Sequence, residues 1–127
     1  MRQFLFASFV FVAMSSSALA SGWALVKEGA EFRHLDNKEQ FLQVVTQGKL
    51  KRFGITLEVK PDGKITGNAF GFKISGAWDW RDGYFCRNLN WGGSDIGTNC
   101  QEVKINGRTL RFTSDQGTGD FADLRLR

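Results

Sequence analysis

The stretch FKISGAWDWRDGYFCRNLNWGGSDIGTNC, Phe72 to Cys100, decides how this chain folds. Phe72, Ile74, Gly76, Trp78 and Trp80 recur at every second position, the period of one face of a β-strand. Arg81-Asp82-Gly83 follows as turn chemistry, because glycine takes a positive φ at little cost. Tyr84-Phe85-Cys86 then restarts an aromatic run, and two such runs about a short turn predict a β-hairpin.

Downstream, Trp91-Gly92-Gly93-Ser94-Asp95 reads as a loop and Thr98 to Ile105 as strand. Asn106-Gly107 is a strong hairpin signal, and Arg108 to Thr113 returns with Leu110 and Phe112 on one face. Ser114 to Asp120 reads as a second loop before a last strand through Leu124 and Leu126. Upstream, Ile55, Leu57 and Val59 alternate with Thr56, Glu58 and Lys60. Pro61-Asp62-Gly63 turns the chain into Lys64 to Phe70. The pattern predicts a mainly β fold: a small antiparallel meander of about seven strands curling into a barrel or sandwich. Connections this short exclude parallel crossovers. Gly54, Gly67 and Gly76, inside strand patterns, mark bends or bulges where the sheet curves. Ile55, Leu57, Val59, Ile74, Trp78, Leu110 and Phe112 are the expected shared core.

One N-terminal helix precedes the strands. Asp36 can cap it, with Glu39 three residues on in capping-box spacing. Phe41, Leu42, Val44 and Val45 form its apolar stripe and Gly48 its stop. Trp23 to Leu35 reads as an extended lead-in with a turn near Glu28-Gly29.

The first 20 of the 127 residues have the form of a signal peptide. Arg2 is the positive flank, Phe4 to Met14 the apolar run and Ala18-Leu19-Ala20 a small-x-small cleavage site. The alternative, a transmembrane anchor, needs ~20 apolar residues. Cleavage would leave residues 21–127 as one β-rich domain, periplasmic or secreted and without stable membrane insertion. The formal net charge of +4 is interspersed with acidic residues, so no basic block points to nucleic acid.

Two cysteines in an exported chain read as one disulfide, Cys86–Cys100. Two free thiols or half of a metal site are the alternatives, but His34 is the single histidine, too few ligands for a Cys/His zinc site. No cofactor motif is present either. Gly117-Thr118-Gly119-Asp120 lacks the third glycine and the βαβ setting of a dinucleotide loop. A Ser-His-Asp or Cys-His site would have to use His34, in the irregular lead-in.

Trp80, Arg87 and Trp91 are the candidate binding residues, since Trp and Arg are favoured at recognition sites. Asp115 and Asp120 join them if their loop lies at the same end. The expected function is a non-catalytic exported domain binding a small ligand or an envelope protein. The alternative is an enzyme: a hydrolase using a carboxylate pair from Asp95, Asp115, Asp120 and Asp123, or the reductase described next.

The runs FGITLEVKPDGKITG, SGAWDWRDGYFCR, WGGSDIGTNCQ and LRFTSDQGTGDFADLRLR resemble a family of small exported α-proteobacterial proteins of uncharacterised function. The resemblance covers roughly Asp36 to Arg127. Members are often automatically labelled dihydrodipicolinate reductase, a name that implies an NAD(P)-dependent cytoplasmic enzyme on a dinucleotide-binding fold. This chain has no strand-Gly-x-Gly-x-x-Gly-helix unit and no room for two domains, so the label reads as a propagated error.

Overall fold

The structure, a computed structural model, describes residues 31–127. The signal-peptide reading of residues 1–20 and most of the lead-in, with its Glu28-Gly29 turn, lie outside the described residues. From Leu50 onward the alternation seen in the sequence becomes an uninterrupted antiparallel meander. Its strands are β2 (Leu50–Arg52), β3 (Ile55–Val59), β4 (Lys64–Ala69), β5 (Phe72–Arg81), β6 (Tyr84–Trp91), β7 (Ser94–Asn106), β8 (Thr109–Thr113) and β9 (Phe121–Leu126). Each pairs with the next, and β9 returns to β2 through Leu126↔Leu50 and Arg125↔Lys51. The eight strands therefore close into a barrel, leaving no free edge among them. A short extra strand, β1 (Arg33–His34), pairs with β7 at Ile105 and Lys104, beyond the end of β6.

Two strands escape the sequence pattern because they are too short to show a period: β1 and β2 have two and three residues. The expected Trp91–Asp95 loop is mostly strand. Trp91 pairs with Ser94, and the turn shrinks to Gly92-Gly93, both at positive φ. At Asn106-Gly107 a hairpin does form, one residue later than the dipeptide suggests. Asn106 is the last paired residue of β7, opposite Thr109, and Gly107 takes φ 57° as the first turn residue.

Helix α1 (Lys38–Val45) starts one residue later than the sequence suggests. Asn37, not Asp36, is the N-cap. Its side-chain oxygen accepts from the Gln40 backbone N–H at 2.9 Å, and Gln40 Oε1 in turn accepts from the Asp36 N–H. The reciprocal pair satisfies donors that a helix start leaves open. Phe41 and Val45 are buried on its inner face, each contributing roughly 1.5–3 kcal/mol by leaving water. Phe41 enters the barrel, its ring centroid 5.3 Å from Trp78, 5.1 Å from Trp80 and 5.0 Å from Phe85. Phe85 continues the cluster to Phe112 at 5.5 Å. The helix is thus a plug at one end, beside the turns of Pro61 and Asp82-Gly83.

Closing eight strands requires strong coiling. Gly67 and Gly76 permit it: a Cβ at these positions would run into the carbonyl oxygens of Thr56 and Asn88. The outer wall carries the Cys86–Cys100 disulfide between register partners on β6 and β7, and the bidentate Arg111–Asp123 pair at 2.8 and 3.0 Å. That hydrogen bonding raises the Arg111 pKa above its ordinary value.

Candidate functional site

The barrel is filled at the α1 end and hollow at the other. Aromatic rings occupy the interior near the helix. Farther along, the inward positions of β4, β5 and β9 include Gly67, Ala69, Gly76 and Ala122, too small to meet across the lumen. An eight-stranded barrel is just wide enough for large side chains to fill or for one small ligand to enter. A cavity of about 320 Å³ remains, near the lower end of the ~300–1,000 Å³ typical of small-molecule sites. Its lining is aliphatic and aromatic, with Leu57, Ile65, Ile74, Leu89 and Phe112 among the walls and floor. Ile55 and Leu57, expected in the core, are accordingly only half-buried, whereas Val59, Ile74, Trp78, Leu110 and Phe112 are buried.

Among the described residues three polar side chains reach this apolar lining: Arg52, Arg87 and Gln101. Alternation along β6 turns Phe85, Arg87, Leu89 and Trp91 into the lumen, while Cys86 faces outward into its disulfide. Arg87 Nη1 donates to the Gly97 carbonyl at 3.2 Å, leaving other donors of its five-donor fork uncommitted. Among the described residues no carboxylate lies within ion-pair distance of it. Desolvation in the barrel lowers its pKa below the ordinary value, though a guanidinium stays charged at neutral pH. Gln101, opposite Phe85 and two pairs deeper, is buried at 8% exposure. Its amide nitrogen reaches Ser114 Oγ only at 3.4 Å. Arg52 is exposed at the rim.

The mouth is apolar as well. Of six exposed large hydrophobic side chains among the described residues, five lie at the open end: Phe53, Phe70, Phe72, Trp91 and Ile96. Trp91 is fixed there. Its Nε1 donates to the Ala69 carbonyl at 2.8 Å and its ring meets Phe72 edge-on at 5.6 Å. Phe121, the sixth, lies on the outer wall, where the Arg111 guanidinium sits 4.1 Å from its ring centroid.

These placements divide the residues singled out in the sequence. Arg87 and Trp91 share one cavity. Trp80 does not join them: it pairs with Phe85 at the plugged end and packs on Phe41, about 20 Å along the sheet from Trp91. The β8–β9 connection does come to the Arg87 level, because Asn99, the register partner of Arg87, bonds Asp115 twice at 2.9 Å. Ser114–Gly117 (α2) is there a tight turn, with left-handed φ at Asp115 and Gln116. Asp115 and Asp120 are nonetheless exposed and outside the cavity lining. The carboxylates considered for hydrolysis are dispersed: Asp95 accepts from the Gly97 N–H, Asp115 binds Asn99 and Asp123 binds Arg111. His34 Nδ1 lies 2.7 Å from Asp36 Oδ1 on β1, away from the cavity lining.

Sequence reasoning missed Arg52, Gln101 and the aliphatic walls. Arg52 lies on β2, too short to show a period; around Gln101 and the aliphatic walls the period-2 alternation was visible, but it marks an inward face without saying whether that face meets another or a void.

No protein-family model matches this chain, and neither the curated proteins nor the solved structures contain a match. Among the described residues no helix is long and apolar enough to cross a membrane. The disulfide is of the kind that persists in oxidising compartments.

Proposed function

We propose that this protein is a non-catalytic exported binding domain that takes a small apolar ligand into the open half of its barrel. The observation that carries this reading is the 320 Å³ cavity with its apolar wall and mouth. Empty apolar space costs a fold the contacts its lining would otherwise make, so a cavity left open to an apolar rim is best understood as a site. The lining includes no Asp or Glu among the described residues, which favours binding over carboxylate chemistry. Export is supported by the signal-like residues 1–20 and by the disulfide. The reductase alternative gains nothing from an antiparallel closed barrel, since dinucleotide sites use parallel βαβ units.

A neutral fluorescent apolar probe, N-phenyl-1-naphthylamine, tests the site. It should bind with one-to-one stoichiometry to the disulfide-bonded protein. Ala69→Phe, which fills the lumen between Ile55 and Phe72, should abolish that binding while far-UV circular dichroism stays unchanged. Equal probe binding by both proteins would remove the cavity as the site.

A further inference from the structure

The cavity is apolar at almost every wall, yet it holds a guanidinium. Arg87 points into it from the middle of β6, half-buried, with one backbone carbonyl as its hydrogen-bond partner and no carboxylate among the described residues to neutralise it. A charge taken partly out of water without a counter-charge is costly. A lumen-facing Leu or Met would fit the same wall without that cost, so the guanidinium suits a ligand that brings the missing anion.

The rest of the lumen constrains what else that ligand must be. Phe85 lies deeper on Arg87's own strand, and Leu57, Ile65, Ile74 and Phe112 are further apolar walls of the same lumen. A small inorganic anion would leave these surfaces empty, and a sugar would leave its hydroxyl groups unpaired against them. Among the described residues the lining's other cation, Arg52, is exposed at the rim. One half-buried guanidinium matches one negative charge, and its planar fork matches a carboxylate in bidentate geometry. Gln101, two pairs deeper on β7, offers a side-chain amide with a single long contact.

We propose that the ligand is a medium-chain amphipathic monocarboxylate, its chain against Leu57, Ile65, Ile74 and Leu89 and its carboxylate on Arg87. This deepens the cavity-binding reading and rests on it. The apolar rim of Phe53, Phe70, Trp91 and Ile96 is the surface the chain crosses on entry.

The test compares three probes of equal chain length at pH 8: dodecanoate, dodecanol and dodecyltrimethylammonium. Binding to the purified, disulfide-bonded protein is read by calorimetry and by indole fluorescence, since Trp91 lines the cavity. Dodecanoate should bind at least tenfold more tightly than dodecanol, and the cation most weakly. Arg87→Met should bring dodecanoate to the affinity of dodecanol or below and leave dodecanol binding intact. Arg87→Gln, which keeps a donor for the Gly97 carbonyl, should do the same if the methionine variant does not fold. Arg52→Met should preserve the preference for the anion. Equal binding of carboxylate and alcohol by the unaltered protein would overturn the assignment of an anionic ligand while leaving the cavity reading in place. A preference that survives removal of Arg87 would overturn it too. If none of the three probes binds the folded protein, both readings fall.

Discussion

The indole N–H of Trp91 donates to the carbonyl of Ala69 across the intervening strand, at 2.8 Å. The two residues lie at the ends of β6 and β4, with β5 between them, so one side chain ties three strands of the rim together. A tryptophan at 38% exposure is thus both part of the mouth and part of its scaffold. Trp91→Phe keeps the apolar contact with Phe72 and removes the hydrogen bond. It should cost about 1 kcal/mol by urea denaturation, and Trp91→Ala more, about 1–3 kcal/mol. A Trp91→Ala protein as stable as the unaltered one would show that the bond is not holding the rim.

At the other end, the plug should be where stability is concentrated. Phe41 is fully buried and Trp78 is 6% exposed, with Nε1 donating to the Lys60 carbonyl at 2.8 Å. Phe41→Ala and Trp78→Ala should each cost about 3–5 kcal/mol, measured as a shift in denaturation midpoint. Losses below ~1 kcal/mol would mean that the helix does not seal the barrel.

Phe70 holds a left-handed backbone, φ 49°, in the turn between β4 and β5, a conformation costing roughly 1–2 kcal/mol for a residue with a Cβ. Its ring lies over Gly54 and lines the cavity. Asparagine tolerates this conformation, so Phe70→Asn should raise stability by about 1 kcal/mol while weakening retention of an apolar probe. Stability gained together with unchanged probe affinity would separate the strained turn from the site.

Arg87 makes a related prediction. Because its charge is half-buried without a carboxylate partner, Arg87→Met should leave thermal stability unchanged or raise it, by up to about 1 kcal/mol. A loss of several kcal/mol would assign Arg87 to the support of the β6–β7 wall through the Gly97 carbonyl.

The disulfide joins strands already paired by the β6–β7 ladder, with a sequence separation of 14. Chain entropy for such a loop is worth about 3 kcal/mol. Reduction with dithiothreitol should lower the midpoint correspondingly while near-UV circular dichroism at low denaturant stays unchanged. Loss of the near-UV signal on reduction alone would show that the ladder does not hold without the bond. Cys86 lies about 17 Å along β6 from Trp91, so the bond steadies the wall below the mouth more than the Gly92-Gly93 tip.

What the sequence determined by itself was local. The alternation around Ile55–Val59 and Phe72–Trp80 specified strands and faces, because side chains two apart necessarily share a face. Asp82-Gly83 specified a hairpin, because both residues adopt positive φ there; the register that sets Cys86 opposite Cys100 belongs to the next hairpin, β6–β7 about Gly92-Gly93. The tertiary structure alone decided closure and hollowness. Closure rests on Leu50 meeting Leu126, a pairing between distant strands of which the first has too few residues to show a period. Hollowness is a sum over all eight strands: Phe41, Trp78, Phe85 and Phe112 overfill one end of the lumen, and Gly67, Ala69, Gly76 and Ala122 underfill the other. No window of sequence contains that sum, so Arg87 reads along the chain as one more strand arginine. Only inside the closed barrel does it become a half-buried charge facing an apolar space.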